Sequence, residues 1–327
     1  MKPSIPEQQP ALEKTACLLC GSTHATPYLK GADYFLRLPG TFYLVRCVSC
    51  GLLYQNPRPS LDEIDHYYPN QYGSYSSAHA GLYARPGLAG WLIRRAQNHR
   101  CRLLHQAVGT ASHHPKRLLD VGCASGLFLE AMQHYSGWQV EGVELNQRAA
   151  QATSRRLEIP VFAGPLEAAH FPDATFDAIT LWDVLEHLHN PVASLCELRR
   201  ILKPSGALFV RVPNAASYVA KGCGHFWSGY DLPRHMTSLT PQTLSQMLRQ
   251  TGFDRLVCRY SSGSYIAALH SLRFALDNST LNSERVALIH RILLHPFVRA
   301  AAWLPTRLTD QILGGSNMEV LVLAHET

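Results

Sequence analysis

The sequence predicts an α/β fold: a seven-stranded, mainly parallel sheet with helices between its strands, a small cysteine-rich domain in front and a helical insertion before the last strand. Three observations predict it. Apolar and charged segments alternate in a βαβ rhythm from about residue 88 onward. A glycine-containing turn follows the first apolar strand, and an acidic residue ends the second. Two matched Cys-x-x-Cys pairs occupy the N-terminal segment.

A chain of 327 residues exceeds what one ordinary core organises, so a main domain of ~200 residues with smaller appendages is expected. Hydrophobic residues at 46% and charged residues at 17% are globular values, which confines disorder to a tail over residues 1–14, rich in Pro, Gln, Glu and Lys. Arg or His interrupts every long apolar run, which excludes a membrane-spanning helix. The opening MKPSIPEQQPALEK carries no apolar stretch after its lysine and so no secretory signal. The nine cysteines are therefore read for a reducing cytoplasm, where metal sites outnumber disulfides. Net charge is +6, but the 30 Lys and Arg are scattered rather than gathered into a basic tract, which argues against a nucleic-acid partner.

Cys17-x-x-Cys20 and Cys47-x-x-Cys50 are separated by 26 intervening residues, and each pair is followed at once by glycine, Gly21 or Gly51. A Cys-x-x-Cys knuckle lets two thiolates grip one metal, glycine accommodates the sharp turn after it, and two knuckles complete a tetrahedral four-sulfur site. Residues 15–60 are thus expected to form a zinc ribbon. The zinc is structural, because four thiolates leave no open coordination position. Cys101, Cys123, Cys196, Cys223 and Cys258 are isolated and read as core or loop residues. Residues 61–87, with Tyr67, Tyr68, Tyr72, Tyr75 and Tyr83, read as a linker or lid. An amphipathic helix follows over 88–108, then strands at 117–122, 139–144, 160–162, 176–181, 207–212, 254–260 and 318–324.

The first strand runs through Asp120 into Gly122-Cys-Ala-Ser-Gly126, where the backbone can turn tightly and a ligand can press against it. Position 124 is Ala, so the pattern is Asp-x-Gly-x-x-x-Gly rather than the dinucleotide fingerprint, and pyrophosphate is disfavoured. Glu144 ends the second strand eighteen positions past Gly126, where a carboxylate accepts hydrogen bonds from both hydroxyls of a ribose. Ribose without pyrophosphate points to an adenosyl ligand.

LLDVGCASGLFLEAM, VEGVELN, FDAITLWDVLEHLHNP, ILKPSGALFVRVPN and DLPRHMTSLTPQTLSQMLRQTGF occur in that order over about residues 90–260. In these motifs the chain resembles the class I S-adenosylmethionine-dependent methyltransferases, in particular the methyltransferase-23 type. The resemblance implies a seven-stranded Rossmann-like methyltransferase sheet over 88–260, completed by an antiparallel last strand over 318–327. It implies that Gly122 and Gly126 back the methionine part of S-adenosylmethionine, that Asp120 orients its ammonium, and that Glu144 takes the ribose. Leu145 and Asn146 would border the adenine, and Trp182 and Asp183 the sulfonium. His187 and His235 are the candidate bases. His235 is better placed, in a loop over the carboxyl edge of the sheet, with a near-neutral pKa suited to proton abstraction. The ribbon resembles the N-terminal zinc-binding domain of sugar C-methyltransferases, whose large C-terminal domain this chain lacks.

The expected activity is methyl transfer to a small or lipid-linked metabolite in cell-surface polysaccharide or secondary-metabolite biosynthesis, to oxygen rather than carbon. An RNA-modifying methyltransferase and a cofactor-binding protein without activity are the alternatives. Residues 261–317 are expected to form a helical pair over the substrate cleft, with Val286, Ile289, Leu293, Phe297, Ala300 and Leu304 as one apolar stripe broken by Arg285, Arg291, Arg299 and Arg307. Pro296 should kink or divide it. The stripe suits packing on the sheet, a homodimer contact or a peripheral membrane contact.

Overall fold

The N-terminal segment folds around its cysteines in the computed structural model, which describes residues 11–68, 81–83, 86–109, 115–135, 137–261 and 263–323. Strand β1 (Leu12–Glu13) pairs with β5 (Arg58–Pro59), while β2 (Ala25–Gly31), β3 (Phe42–Cys47) and β4 (Leu53–Gln55) form an antiparallel sheet. Residues 12 and 13 therefore belong to a strand rather than to the expected tail, because Glu13 is held by the Arg58 guanidinium at 2.9 Å. Residues 1–10 and the lid positions Tyr72 and Tyr75 lie outside the described residues.

Helix α1 (Gly87–Val108) leads into β6 (Lys116–Val121), α2 (Leu127–Gln133), β7 (Trp138–Glu144), α3 (Gln147–Leu157), β8 (Val161–Ala163), β9 (Phe176–Trp182), α4 (Pro191–Ile201) and β10 (Leu202–Pro213). Then come α5 (Tyr218–Cys223), β11 (Thr237–Ser238), α6 (Pro241–Gln250), β12 (Arg255–Ser261), α7 (Ser264–Asp277), α8 (Ser283–Leu294), α9 (Pro296–Leu313) and β13 (Asn317–Leu323). All seven expected strands join one sheet in the order β12-β13-β10-β9-β6-β7-β8. Strand β13 is antiparallel to both neighbours and the other pairings are parallel. The chain leaves β6 for β7 on one side and later returns as β9 on the other, which opens a crevice at the carboxyl ends of β6 and β9.

The central strands are buried on both faces, and Leu118, Leu119, Ile179, Leu181, Leu208 and Val210 supply the core. Side chains at the helix starts satisfy free backbone donors: Asn146 accepts from Ala149 N–H, Asn190 from Ala193 N–H, and Thr240 from Thr243 N–H ahead of Pro241. Two expectations need correction. Strand β10 starts five residues before position 207, with a register shift against β9 between Leu202 and Ala207. The insertion holds three helices, not a pair: Pro296 divides α8 from α9 as expected, and α7 precedes them as a third. Val286, Ile289 and Leu293 are consequently half-buried, whereas Phe297 and Leu304 are exposed; the Ala300 side chain is outside those described.

The ribbon and the α/β domain are interlocked. Strand β11, which follows the fifth strand of the large sheet, adds to β4 as a fourth strand of the small one, pairing Thr237 with Tyr54 and Ser238 with Leu53. Just before it, Arg234, with 0% of its side chain exposed, donates from Nη1 and Nη2 to the two Asp33 carboxylate oxygens at 2.9 and 2.7 Å. It also donates from Nε and Nη2 to Asp231 Oδ1 at 3.0 and 2.6 Å. The next ribbon residues reach the insertion: Phe35 meets Phe274 edge-on at 4.8 Å, and Arg37 pairs with Asp277 at 2.7 Å. Asp33→Ala leaves part of a fully desolvated guanidinium unpaired. Urea denaturation of that variant should reveal a loss of about 3 kcal/mol, the scale of breaking a buried ion pair.

Candidate active site and metal centre

The two knuckles bring the four predicted cysteines together. Cys17 Sγ lies 3.4 Å from Cys50 Sγ, Cys20 Sγ lies 3.5 Å from Cys47 Sγ, and all four sulfurs fall within 4.8 Å of one another. Gly21 and Gly51 take φ of 72° and 76° and donate to the carbonyls of Cys17 and Cys47, so the two turns are built alike. Burial alone would raise the Cys47 thiol, but hydrogen bonds from the Cys50 backbone and from Cys20 bring it down to about 6. Sulfurs so spaced, with backbone N–H groups turned toward them, fit a tetrahedral zinc ion.

The cleft at the carboxyl ends of β6 and β7 gathers the predicted cofactor residues. Gly122 has φ of 69°, and a Cβ there would come within 2.5 Å of Val184 Cγ2, so the turn admits glycine alone. Glu144 is buried, and its two oxygens accept from Ala124 N–H and Asn146 N–H at 2.8 Å each. It braces the glycine turn while each oxygen retains a further lone pair. Burial, opposed by those N–H groups, raises its pKa. Asp120 accepts from Thr180 Oγ1 at 2.6 Å, and burial pushes it to about 7 against the opposing effects of that bond and of Arg100. Leu145 is exposed beside the cleft, and the Asn146 side chain is taken up in capping α3. Trp182 packs edge-on against Phe128, with its indole N–H buried and without a hydrogen-bond partner among the described residues. Asp183, at φ of 58°, accepts from Arg211 Nη1 at 2.9 Å.

Arg100 is the residue that sequence reasoning missed. It projects from α1 and holds its guanidinium 4.3 Å from the centroid of the Trp182 ring, with no carboxylate within 4 Å among the described residues. Burial, reinforced by the charge of Arg211, lowers its pKa to about 10. A half-buried cation whose hydrogen bond is a long one to Gln97 Oε1, 3.4 Å, and which has no carboxylate partner among the described residues, is a ready place for a ligand carboxylate. Its only signal in the sequence is one Arg among several on an amphipathic helix.

Asp183 also lines a cavity of about 260 Å³, walled by Phe35 of the ribbon, Trp227, Asp231 and His235 of the loop after β10, and Ala267 of α7. His187 and His235, the two candidate bases, lie together with ring centroids 4.5 Å apart. His235 Nδ1 is 2.9 Å from the Gly229 carbonyl, which only accepts, so Nδ1 carries the proton and the Nε2 lone pair is free, 3.9 Å from Asp231 Oδ2. His187 Nδ1 likewise donates to the Arg234 carbonyl at 3.0 Å and lies 2.8 Å from the Tyr68 hydroxyl. The expected near-neutral pKa of His235 is not what this site provides: burial, then the neighbouring His187, brings it down to about 3. Glu186, 1% exposed, has no partner for either carboxylate oxygen among the described residues, and burial keeps its pKa well above the usual range. One of its oxygens and one ring nitrogen of each histidine lie within 4.8 Å of one another, a donor set that a divalent ion can also use.

Both histidines are held neutral in the folded chain, since burial also lowers His187. The unfolded chain takes up protons at their ordinary pKa near 6.5, so their contribution to stability is complete above that value and is lost as pH falls below it, for His235 toward about 3. Thermal unfolding between pH 7 and 4 should thus fall more steeply with acid for the native chain than for His235→Gln, by up to ~1.4 kcal/mol per pH unit.

Comparison with known proteins agrees with this arrangement. The methyltransferase-23 family model, described as a methyltransferase domain, matches residues 92–257. The chain is 28% identical over 152 residues to a ubiquinone biosynthesis O-methyltransferase of Thiobacillus denitrificans, a match covering 42% of this chain and 65% of that protein, just under two thirds of its length. Against the protein of the same name from Chromobacterium violaceum it is 32% identical over 180 residues, covering 51% of this chain and 75% of the relative. Among solved structures, Haemonchus contortus phospholethanolamine N-methyltransferase 2 shares the fold at a TM-score of 0.51 and 15% identity, covering 92% of this chain and 68% of the other. A turn that admits glycine alone, a buried acid at the end of the next strand and an antiparallel seventh strand sit within the matched span or complete its sheet, and the chain belongs to the methyltransferase-23 family.

Proposed function

We propose that this chain is an S-adenosylmethionine-dependent methyltransferase that acts on a hydroxyl of a small, lipid-linked acceptor. The observation that carries the reading is one shared edge: Asp120, the Gly122 turn and Glu144 lie at the carboxyl ends of β6 and β7, and Asp183, which follows the neighbouring β9, lines the cavity together with His235. Oxygen as the acceptor atom and a lipid-linked substrate draw support from the names of the O-methyltransferase relatives. A role in polysaccharide or secondary-metabolite synthesis rests on the sequence resemblance alone.

In this reading Glu144 accepts from the ribose hydroxyls, Asp120 from the ammonium, and Arg100 donates to the carboxylate of the cofactor, while Trp182 and Asp183 border the sulfonium. When bound, S-adenosylmethionine supplies an electrophilic methyl group. The chain's own work is to hold the acceptor in line with that methyl and to take its proton. His235 Nε2 is the proton acceptor, with Asp231 beside it to stabilise the imidazolium, and the Gly229 carbonyl fixes the tautomer. A resting pKa near 3 makes this a weak base in the free protein, so proton removal belongs late in the transfer, when the hydroxyl has become acidic. His187 positions this loop through its bond to the Arg234 carbonyl. The four-sulfur centre is structural and sets the ribbon wall of the cavity.

Titration calorimetry with S-adenosylhomocysteine tests the cofactor assignment. Glu144→Ala and Arg100→Leu should each weaken binding at least about tenfold, the cost of losing charge-assisted hydrogen bonds of roughly 1.5–3 kcal/mol each. Unchanged affinity in both would remove the reading. Methyl-labelled cofactor incubated with a lipid extract should carry label into an organic-soluble product, and label confined to added RNA would favour the RNA-modifying alternative instead. Metal analysis of the purified chain should find one zinc, lost in Cys20→Ser together with thermal stability.

A further inference from the structure

The insertion between β12 and β13 leaves an apolar surface that none of the described residues covers. On α9, Phe297, Leu304, Leu308 and Ile312 follow one another at steps of seven, four and four residues, so they share one side of the helix. All four are exposed, Phe297 at 80% and Ile312 at 78%. The opposite side is the packed one: Asp310 is buried and accepts from the Tyr218 hydroxyl at 3.1 Å, and Thr306 is half-buried. The preceding α8 exposes Leu288 and Ile292 in the same way. Exposed apolar side chains in a continuous row are not a scatter of surface leucines but a contact surface.

Charge selects the occupant. Arg285, Arg291, Arg299 and Arg307 are exposed on α8 and α9, and none lies within 4 Å of a carboxylate among the described residues. On the acidic side these helices carry Glu284 and the buried Asp310. Arg299, Trp303 and Arg307 form a row beside the apolar stripe at four-residue steps, with the Arg307 guanidinium 5.5 Å from the Trp303 ring centroid. An apolar stripe flanked by unpaired arginines and an amphipathic tryptophan matches the boundary between acyl chains and acidic headgroups, with apolar groups below and cations level with phosphate. A second copy of the chain would instead bring the same arginines against each other. No helix of the described residues is long and apolar enough to cross a membrane, so the surface would lie on the bilayer.

We propose that the outer face of α8 and α9 docks this chain on an anionic lipid surface. The insertion also walls the acceptor cavity, through Ala267 at one end and Ser316 and Asn317 at the other, so docking would bring the cavity to the bilayer. Docking does not depend on methyl transfer, and its test is separate.

Flotation of the full chain with vesicles of phosphatidylcholine containing phosphatidylglycerol, and with phosphatidylcholine alone, reads it directly. The native chain should float with the anionic vesicles at low salt, less so at moderate salt, and stay at the bottom of the gradient with the neutral ones. Phe297→Ser combined with Ile312→Ser should lower the floated fraction at least about tenfold while the thermal unfolding midpoint and cofactor affinity hold, since both side chains are exposed. Arg299→Glu with Arg307→Glu should do the same, and neutral substitutions on α3 should not. Protein left at the bottom with both vesicles, equal recovery with both, or a dimer in light scattering that the Phe297 and Ile312 substitutions dissolve would each overturn the proposal.

Discussion

One buried guanidinium holds the two halves of this chain in register. Arg234 leaves no part of its side chain to water and divides its donors between Asp33 of the ribbon and Asp231 of its own loop. Asp33 is buried with it and the Asp231 side chain is only 9% exposed, so their charges answer one another largely out of reach of water. Asp231 is kept below the usual carboxylate range despite its burial, because Arg234 lies against it. The residues on either side depend on this fixture: His235 follows Arg234 in sequence, Phe35 follows Asp33 by two, and both reach the same cavity. The Arg234 carbonyl holds His187, and Thr237 begins the strand that completes the small sheet. The cysteine knuckles shape the ribbon, but this ion pair decides where the ribbon stands.

Much of this was legible in the sequence, for identifiable physical reasons. A knuckle is a local motif, so the four cysteines announce their own geometry. The turn at Gly122 and the acid at Glu144 belong to neighbouring strands of one βαβ unit, whose handedness and spacing leave little freedom. The two histidines were legible as candidates because they follow strands at the active edge. What sequence could not yield was contact across long separation. Nothing about Asp33 marks it as the partner of a residue two hundred positions later, and nothing about Arg100 distinguishes it from Arg94, Arg95 or Arg102 until α1 is laid over Trp182. The insertion was legible in part: Pro296 marks the division between α8 and α9, whereas α7 lies ahead of the apolar stripe that the sequence pattern picks out.

The electrostatics of the cleft follow from the same closeness. Asp120, Glu144 and Glu186 are all buried and all raised, whereas the cations Arg100 and Arg211 stand near each other with Asp183 beside them. Such an arrangement is poorly satisfied by itself. A zwitterionic ligand bearing an ammonium, a carboxylate and a sulfonium offers these groups charges of opposite sign, which is the sense in which the cleft fits its proposed cofactor.

The position of β13 has a consequence for how the chain is made. Strand β12 has one neighbour in the large sheet, and that neighbour is β13; β13 is in turn what joins it to β10. During synthesis β12 emerges first, and three helices follow before its partner exists. Through that interval β10 and β12 both present open edges, and the helices between them have no finished sheet to pack on. Closure of the sheet is deferred until Asn317–Leu323 leaves the ribosome, and a nascent chain stalled within the insertion would hold four adjacent parallel strands of the cofactor half, β9, β6, β7 and β8, beside a raw edge at β10.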